Sequence, residues 1–162
     1  MRSVPSDVEP AAIRLDARAE GRDDAVRQCG RLLVEIGAVE EEYIAGMLDR
    51  ERSISTYLAE GVAIPHGTNA SKDSVLRDAL AVVRFPDGVD WNGDEVTLAI
   101  AIAARGDGHI AVLTELAQIL LDADRARDLR EATTAEEIVR LLRPAGPDEA
   151  AHAPEKEEEA AQ

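Results

Sequence analysis

The chain has 162 residues, enough for one sizeable core and most simply a single domain. A formal charge of −15 and a pI near 4.5 argue against nucleic acid and anionic membrane surfaces as partners, and favour a basic protein surface instead. Cys29 is the one cysteine, which excludes an internal disulfide framework, and aromatics at 2% leave a core built from Leu, Ile, Val and Ala. No apolar run approaches the length of a membrane span and no leader pattern opens the sequence. The expectation is a soluble cytoplasmic protein with no direct membrane insertion.

Residues 1–10 carry two prolines and little apolar content and read as a flexible lead-in. Ile13 and Leu15 alternate with polar neighbours, the period of a short strand. From Arg22 to Ile36 the positions Ala25, Val26, Cys29, Leu32, Leu33 and Ile36 recur at helical spacing, and Gly37 is a natural stop. That spacing puts Cys29 on the inner face, as a small buried hydrophobe. A second helix is predicted from Glu40 to Glu51, with acidic residues in its first turn and Tyr43, Ile44, Met47 and Leu48 as its inner stripe.

Val62, Ala63 and Ile64 form a short apolar strand that Pro65 ends, because proline donates no ladder hydrogen bond. His66 is therefore delivered to a strand edge, and Gly67 allows close approach of the backbone there. Residues 78–84 read as a strand, Phe85-Pro86-Asp87-Gly88 as a turn, and Trp91 before Asn92-Gly93 as packing at a hairpin turn. The near-continuous apolar run from Thr97 to Ala104 has the pattern of a central strand covered on both faces. Helical period resumes from His109 to Leu121 and again over Asp124–Glu131 and Thr134–Leu142, the last opened by a threonine and glutamate in capping-box spacing. Interleaved strands and helices without a dinucleotide fingerprint predict an α/β fold, a three-layer-like sandwich with a mixed central sheet flanked by helices. In the tail, residues 144–162, six carboxylates (Asp148, Glu149, Glu155, Glu157, Glu158, Glu159) oppose Lys156, a net −5, and the segment is expected to be disordered.

One longer pattern spans these elements. Glu51, six further residues, Leu58-Ala59, two more, then Val62-Ala63-Ile64-Pro65-His66-Gly67 resembles the phosphorylation-site signature of the mannitol/fructose class of EIIA proteins. These belong to the bacterial phosphoenolpyruvate-dependent sugar phosphotransferase system. The similarity runs from about residue 12 to 142, includes His109-Ile110, and is nearest the mannitol-specific branch. It implies a phosphocarrier domain over residues 11–143.

The resemblance also implies roles. His66 is expected to accept and donate the phosphoryl group through Nε2; a neutral imidazole is a competent nucleophile near pH 7, and its N–P bond is labile enough to release what it takes. His109, at the first turn of a helix, would stay neutral beside the positive end of the dipole and donate to a phosphoryl oxygen. Arg50 would stabilise charge on the transferring group. Thr68 and the N–H groups around Gly67 are further candidate phosphoryl donors, whereas Glu51 reads as scaffold or surface. The implied partners are HPr as donor and the cysteine of a mannitol-class EIIB domain as acceptor, with no cofactor and no metal. An alternative is a regulatory module whose phosphorylation state controls a protein partner. A metal enzyme built on His66 and His109 lacks the HxxxH, HExxH or clustered-cysteine spacing such a site needs.

Overall fold

A computed structural model describes residues 12–105 and 108–142, without the side chains of Asn69 and of residues 108–113. The expected lead-in, the acidic tail, Gly106 and Asp107 lie outside the described residues. The elements are β1 (Ile13–Arg14), α1 (Arg22–Glu35), α2 (Glu42–Ser53), β2 (Tyr57–Ala59), β3 (Val62–Ala63), a 3-10 helix (Asn69–Ser74), β4 (Ala79–Trp91), β5 (Asp94–Ala103), α3 (Gly108–Leu120), α4 (Ala123–Glu131) and α5 (Ala135–Leu142). Among the described residues no helix is long and apolar enough to cross a membrane.

The five strands form one mixed sheet in the order β1-β4-β5-β3-β2. β1 runs parallel to β4 and β3 parallel to β5, while β4–β5 and β2–β3 are antiparallel pairs. Every residue of β5 from Leu98 to Ala103 is buried. Both alternating sets of side chains are thus covered, as expected for a strand flanked by helices on each face. α1 lies on this sheet through Ala25, Val26, Cys29, Leu32 and Leu33. Each large aliphatic side chain sealed in this way contributes about 1.5–3 kcal/mol.

α1 packs on α2 through Gly30, where a Cβ would lie 2.7 Å from Ile44 Cγ1. α4 is capped by Asp122, which accepts the N–H groups of Asp124 and Arg125. The threonine–glutamate pairing that opens α5 is reciprocal: Thr134 Oγ1 accepts Glu137 N–H, and Glu137 Oε1 accepts Thr133 N–H, each at 3.1 Å.

Two features differ from the expectation. Phe85-Pro86-Asp87-Gly88 is no turn: β4 continues through it, and pairing passes from Arg84–Leu98 to Val89–Val96 across a bulge. Proline's missing donor and Gly88 at φ 82° suit an interruption of the ladder, and the sequence signal for that is the same as for a turn. The reversal occurs at Asn92-Gly93, the expected hairpin turn, φ 58° and 97°, beside the fully buried Trp91. The second feature is β2, which the sequence pattern did not announce. It pairs with β3 around Glu60-Gly61, both at positive φ (56° and 77°).

Candidate active site around His66

β3 ends where Pro65 enters, but the chain stays on the sheet. Ile102 N–H donates to Pro65 C=O at 2.9 Å, and His66 bridges to Ile102 in parallel register. His66 is 8% exposed and counts among the buried polar residues. Its Nδ1 lies 2.8 Å from Ile64 C=O. A carbonyl can only accept, so Nδ1 carries the proton and the lone pair of the neutral ring is on Nε2.

The residue after it is held from the opposite side. Tyr43, on α2, accepts Gly67 N–H through its hydroxyl at 2.9 Å and donates that hydroxyl to Ile102 C=O at 2.9 Å. Burial pushes the Tyr43 phenol up to about 12, with the Gly67 hydrogen bond opposing the shift. The space a Gly67 side chain would need is filled: a Cβ would lie 2.4 Å from Ser71 Oγ and 2.6 Å from Tyr43 Cε1. Thr68 caps the 3-10 helix, its Oγ1 accepting Ser71 N–H at 3.2 Å and facing Ser71 Oγ at 3.2 Å.

Arg50 lies in the last turn of α2, where its charge also suits the helix dipole, and donates to Ile54 C=O at 2.5 Å. Its neighbour Glu51 is 1% exposed. That carboxylate accepts Thr56 N–H at 2.8 Å and Trp91 Nε1–H at 2.7 Å on Oε2, and Thr56 Oγ1–H at 2.6 Å on Oε1. Glu51 is therefore scaffold of the buried kind, not surface. Cys29 is also fully buried; burial first and the Glu51 charge second push its thiol up to about 12, far from the reactive range. His109 falls in the first turn of α3, and its side chain lies outside the described residues.

Residues 8–144 match the family model described as phosphoenolpyruvate-dependent sugar phosphotransferase system, EIIA 2. The chain belongs to this EIIA family. This EIIA chain is 37% identical over 130 residues to the mannitol-specific phosphotransferase enzyme IIA component of Halalkalibacterium halodurans, covering 80% of itself and 90% of that protein. It is 44% identical over 126 residues to the multiphosphoryl transfer protein of Escherichia coli O157:H7, covering 77% of itself but only 34%, about a third, of that longer protein. Among solved structures it resembles the complex of enzyme IIAMTL and phosphorylated enzyme IIBMTL from Escherichia coli, with a TM-score of 0.77 and 37% identity over 83% of this chain and 96% of that one.

The EIIA signature thus spans two neighbouring structures: the His66 loop and the C-terminal turn of α2 that carries Arg50 and Glu51. Sequence reasoning placed Tyr43 only in the inner stripe of a helix and gave Thr56 no part. Their polar atoms meet the His66 loop through tertiary contacts, and the one local clue was a hydroxyl-bearing aromatic on a buried face, which needs a partner.

Proposed function

We propose that this EIIA domain, taken as residues 11–143, is a phosphocarrier working through His66, between phospho-HPr and a mannitol-class EIIB. The observation that carries the reading is the Nδ1–H bond to Ile64 C=O, which puts the nucleophilic lone pair on Nε2. In the first step that lone pair attacks phosphorus on the HPr phosphohistidine. The donor N–P bond breaks, and its electron pair returns to the HPr imidazole. In the second step an EIIB thiolate attacks in line, the Nε2–P bond breaks, and neutral His66 is regenerated. Positioning and fixed dipoles suffice for both transfers, with no metal in either.

Arg50 supplies charge stabilisation: its Ile54 bond uses one N–H of five, leaving donors for the equatorial oxygens. His109, at the positive end of α3, would donate to a phosphoryl oxygen. Thr68 can turn its hydroxyl hydrogen toward the same group, whereas the Gly67 N–H, expected as a phosphoryl donor, is engaged by the Tyr43 hydroxyl and leaves Gly67 the role of a tight backbone approach to Tyr43 and Ser71. The partner assignment is supported by family membership and by the likeness to a IIA protein in complex with phosphorylated IIB.

Incubation with enzyme I, HPr and labelled phosphoenolpyruvate should label the native chain and leave His66→Ala unlabelled. Adding mannitol-class EIIB should then discharge the label. Label retained on His66→Ala would end the reading, and label that EIIB cannot remove would favour a regulatory role.

A further inference from the structure

Glu51 is buried, bears a carboxylate, and has no part in the transfer described above. Its three hydrogen-bond partners are all neutral donors: Thr56 N–H, Thr56 Oγ1–H and Trp91 Nε1–H. A carboxylate in that position is costly to bury unless each bond is made, and charge-assisted bonds of this kind are short and strong. They fix the Thr56 peptide against α2 and against the end of β4.

The constraint continues toward the imidazole. Thr56 C=O accepts Ile64 N–H at 3.0 Å. Ile64 C=O in turn accepts Nδ1–H of His66 at 2.8 Å. Three hydrogen-bonded steps therefore connect the Glu51 carboxylate to the ring, and Arg50 clasps the same connecting segment at Ile54 C=O. The residue whose carbonyl selects the ring tautomer, Ile64, is itself held through its N–H by Thr56, and Thr56 by Glu51.

From this we infer that Glu51 is a positioning residue for phosphoryl transfer: through Thr56 it holds the Ile64 carbonyl on Nδ1 and so keeps the lone pair on Nε2. The inference rests on His66 being the acceptor. It needs the geometry of the carboxylate and not its charge, which separates it from an electrostatic role.

Two substitutions distinguish the two. In Glu51→Gln the amide oxygen can take the place of Oε2 and accept both N–H donors. The amide NH2 takes the place of Oε1 and donates to Thr56 Oγ1, whose hydroxyl turns to accept. All three bonds survive without the charge. In Glu51→Asp the charge survives, but the side chain is one methylene too short to span Thr56 and Trp91 together.

The measurements are the 15N shifts of the His66 ring, which separate a protonated from a bare nitrogen, and the initial rate of labelling by phospho-HPr. Glu51→Gln is expected to keep the Nδ1–H pattern and a near-native rate. Glu51→Asp is expected to mix the tautomers and slow labelling about 10- to 100-fold, the scale of a misplaced reacting group. A native ring pattern and rate in Glu51→Asp would overturn the inference, as would loss of both in Glu51→Gln. Should Glu51→Asp not fold, Thr56→Val deletes only the 2.6 Å hydroxyl bond and should shift the ring in the same direction by less; an unmoved ring there counts against Glu51. A native chain that takes no label would defeat the phosphocarrier reading, while the ring shifts would still decide the Glu51 relay.

Discussion

The Tyr43 hydroxyl accepts the backbone N–H of Gly67 at 2.9 Å, so the first turn of α2 grips the residue immediately after His66. The same hydroxyl donates to Ile102 C=O, and Ile102 N–H reaches Pro65. One phenol and one residue of β5, Ile102, therefore bracket the histidine on both sides.

Tyr43→Phe removes that bracket and takes this partner from two polar groups, the part-buried Gly67 N–H and the buried Ile102 carbonyl. Each costs about 1–3 kcal/mol when left unsatisfied. Denaturant unfolding should show a loss of up to about 2–6 kcal/mol for the two together, and labelling by phospho-HPr should slow; an unchanged midpoint would mean that water replaces the phenol.

Alkaline stability should fall in two stages. Cys29 is raised from 9.0 to about 12 and Tyr43 from 10.0 to about 12, in both cases first through burial. The folded state therefore binds more protons than the unfolded one between pH 9 and 12. Stability is intact below the unfolded pKa values and declines as pH rises toward 12, by up to ~1.4 kcal/mol per pH unit for each group. Cys29→Ala should flatten the decline that starts near pH 9, leaving the later one; unfolding midpoints measured across pH check this.

Trp91→Phe keeps the ring packed at the end of β4 and deletes one donor to the buried Glu51 carboxylate. A hydrogen bond to a charged group is worth about 1.5–3 kcal/mol. Unfolding free energy should drop by that amount, and the Trp91→Phe, Glu51→Gln double variant should lose less than the sum of the two single losses, as a double-mutant cycle would measure.

Gly46→Ala tests how α2 reaches the His66 loop. A Cβ there would sit 2.5 Å from Ser71 Cβ and 2.6 Å from Ser71 Oγ, so α2 must withdraw from the 3-10 helix. A loss of about 1–3 kcal/mol is expected. Ser71→Gly, which deletes both clashing atoms, should recover part of it, and no recovery would assign the loss to something other than this contact.

The sequence was most legible where side-chain period alone decides. The stripe of α1, with Cys29 facing inward, and the uninterrupted apolar run of β5 both occupy the elements their spacing predicted. It was least legible where one residue type serves two local geometries. Pro86 and Gly88 signal an interrupted ladder, and whether the interruption becomes a turn or a bulge depends on the partner strand, which here re-pairs at Val89 and Val96. β2 was missed because three residues leave too short a period to read.

By itself the sequence determined the helices, the central strand, and a histidine set just past a strand that proline must end. Those follow from local sterics and from which face of each element is apolar. Tertiary structure alone decided what the polar atoms meet: Tyr43 with Gly67, 24 residues on, and with Ile102, 59 residues on, and Glu51 with Trp91, 40 residues on. Period reports that a face is buried. The partner across the contact is chosen by how the layers pack, whereas the tautomer of His66 is set close by, by Ile64 C=O two residues before it.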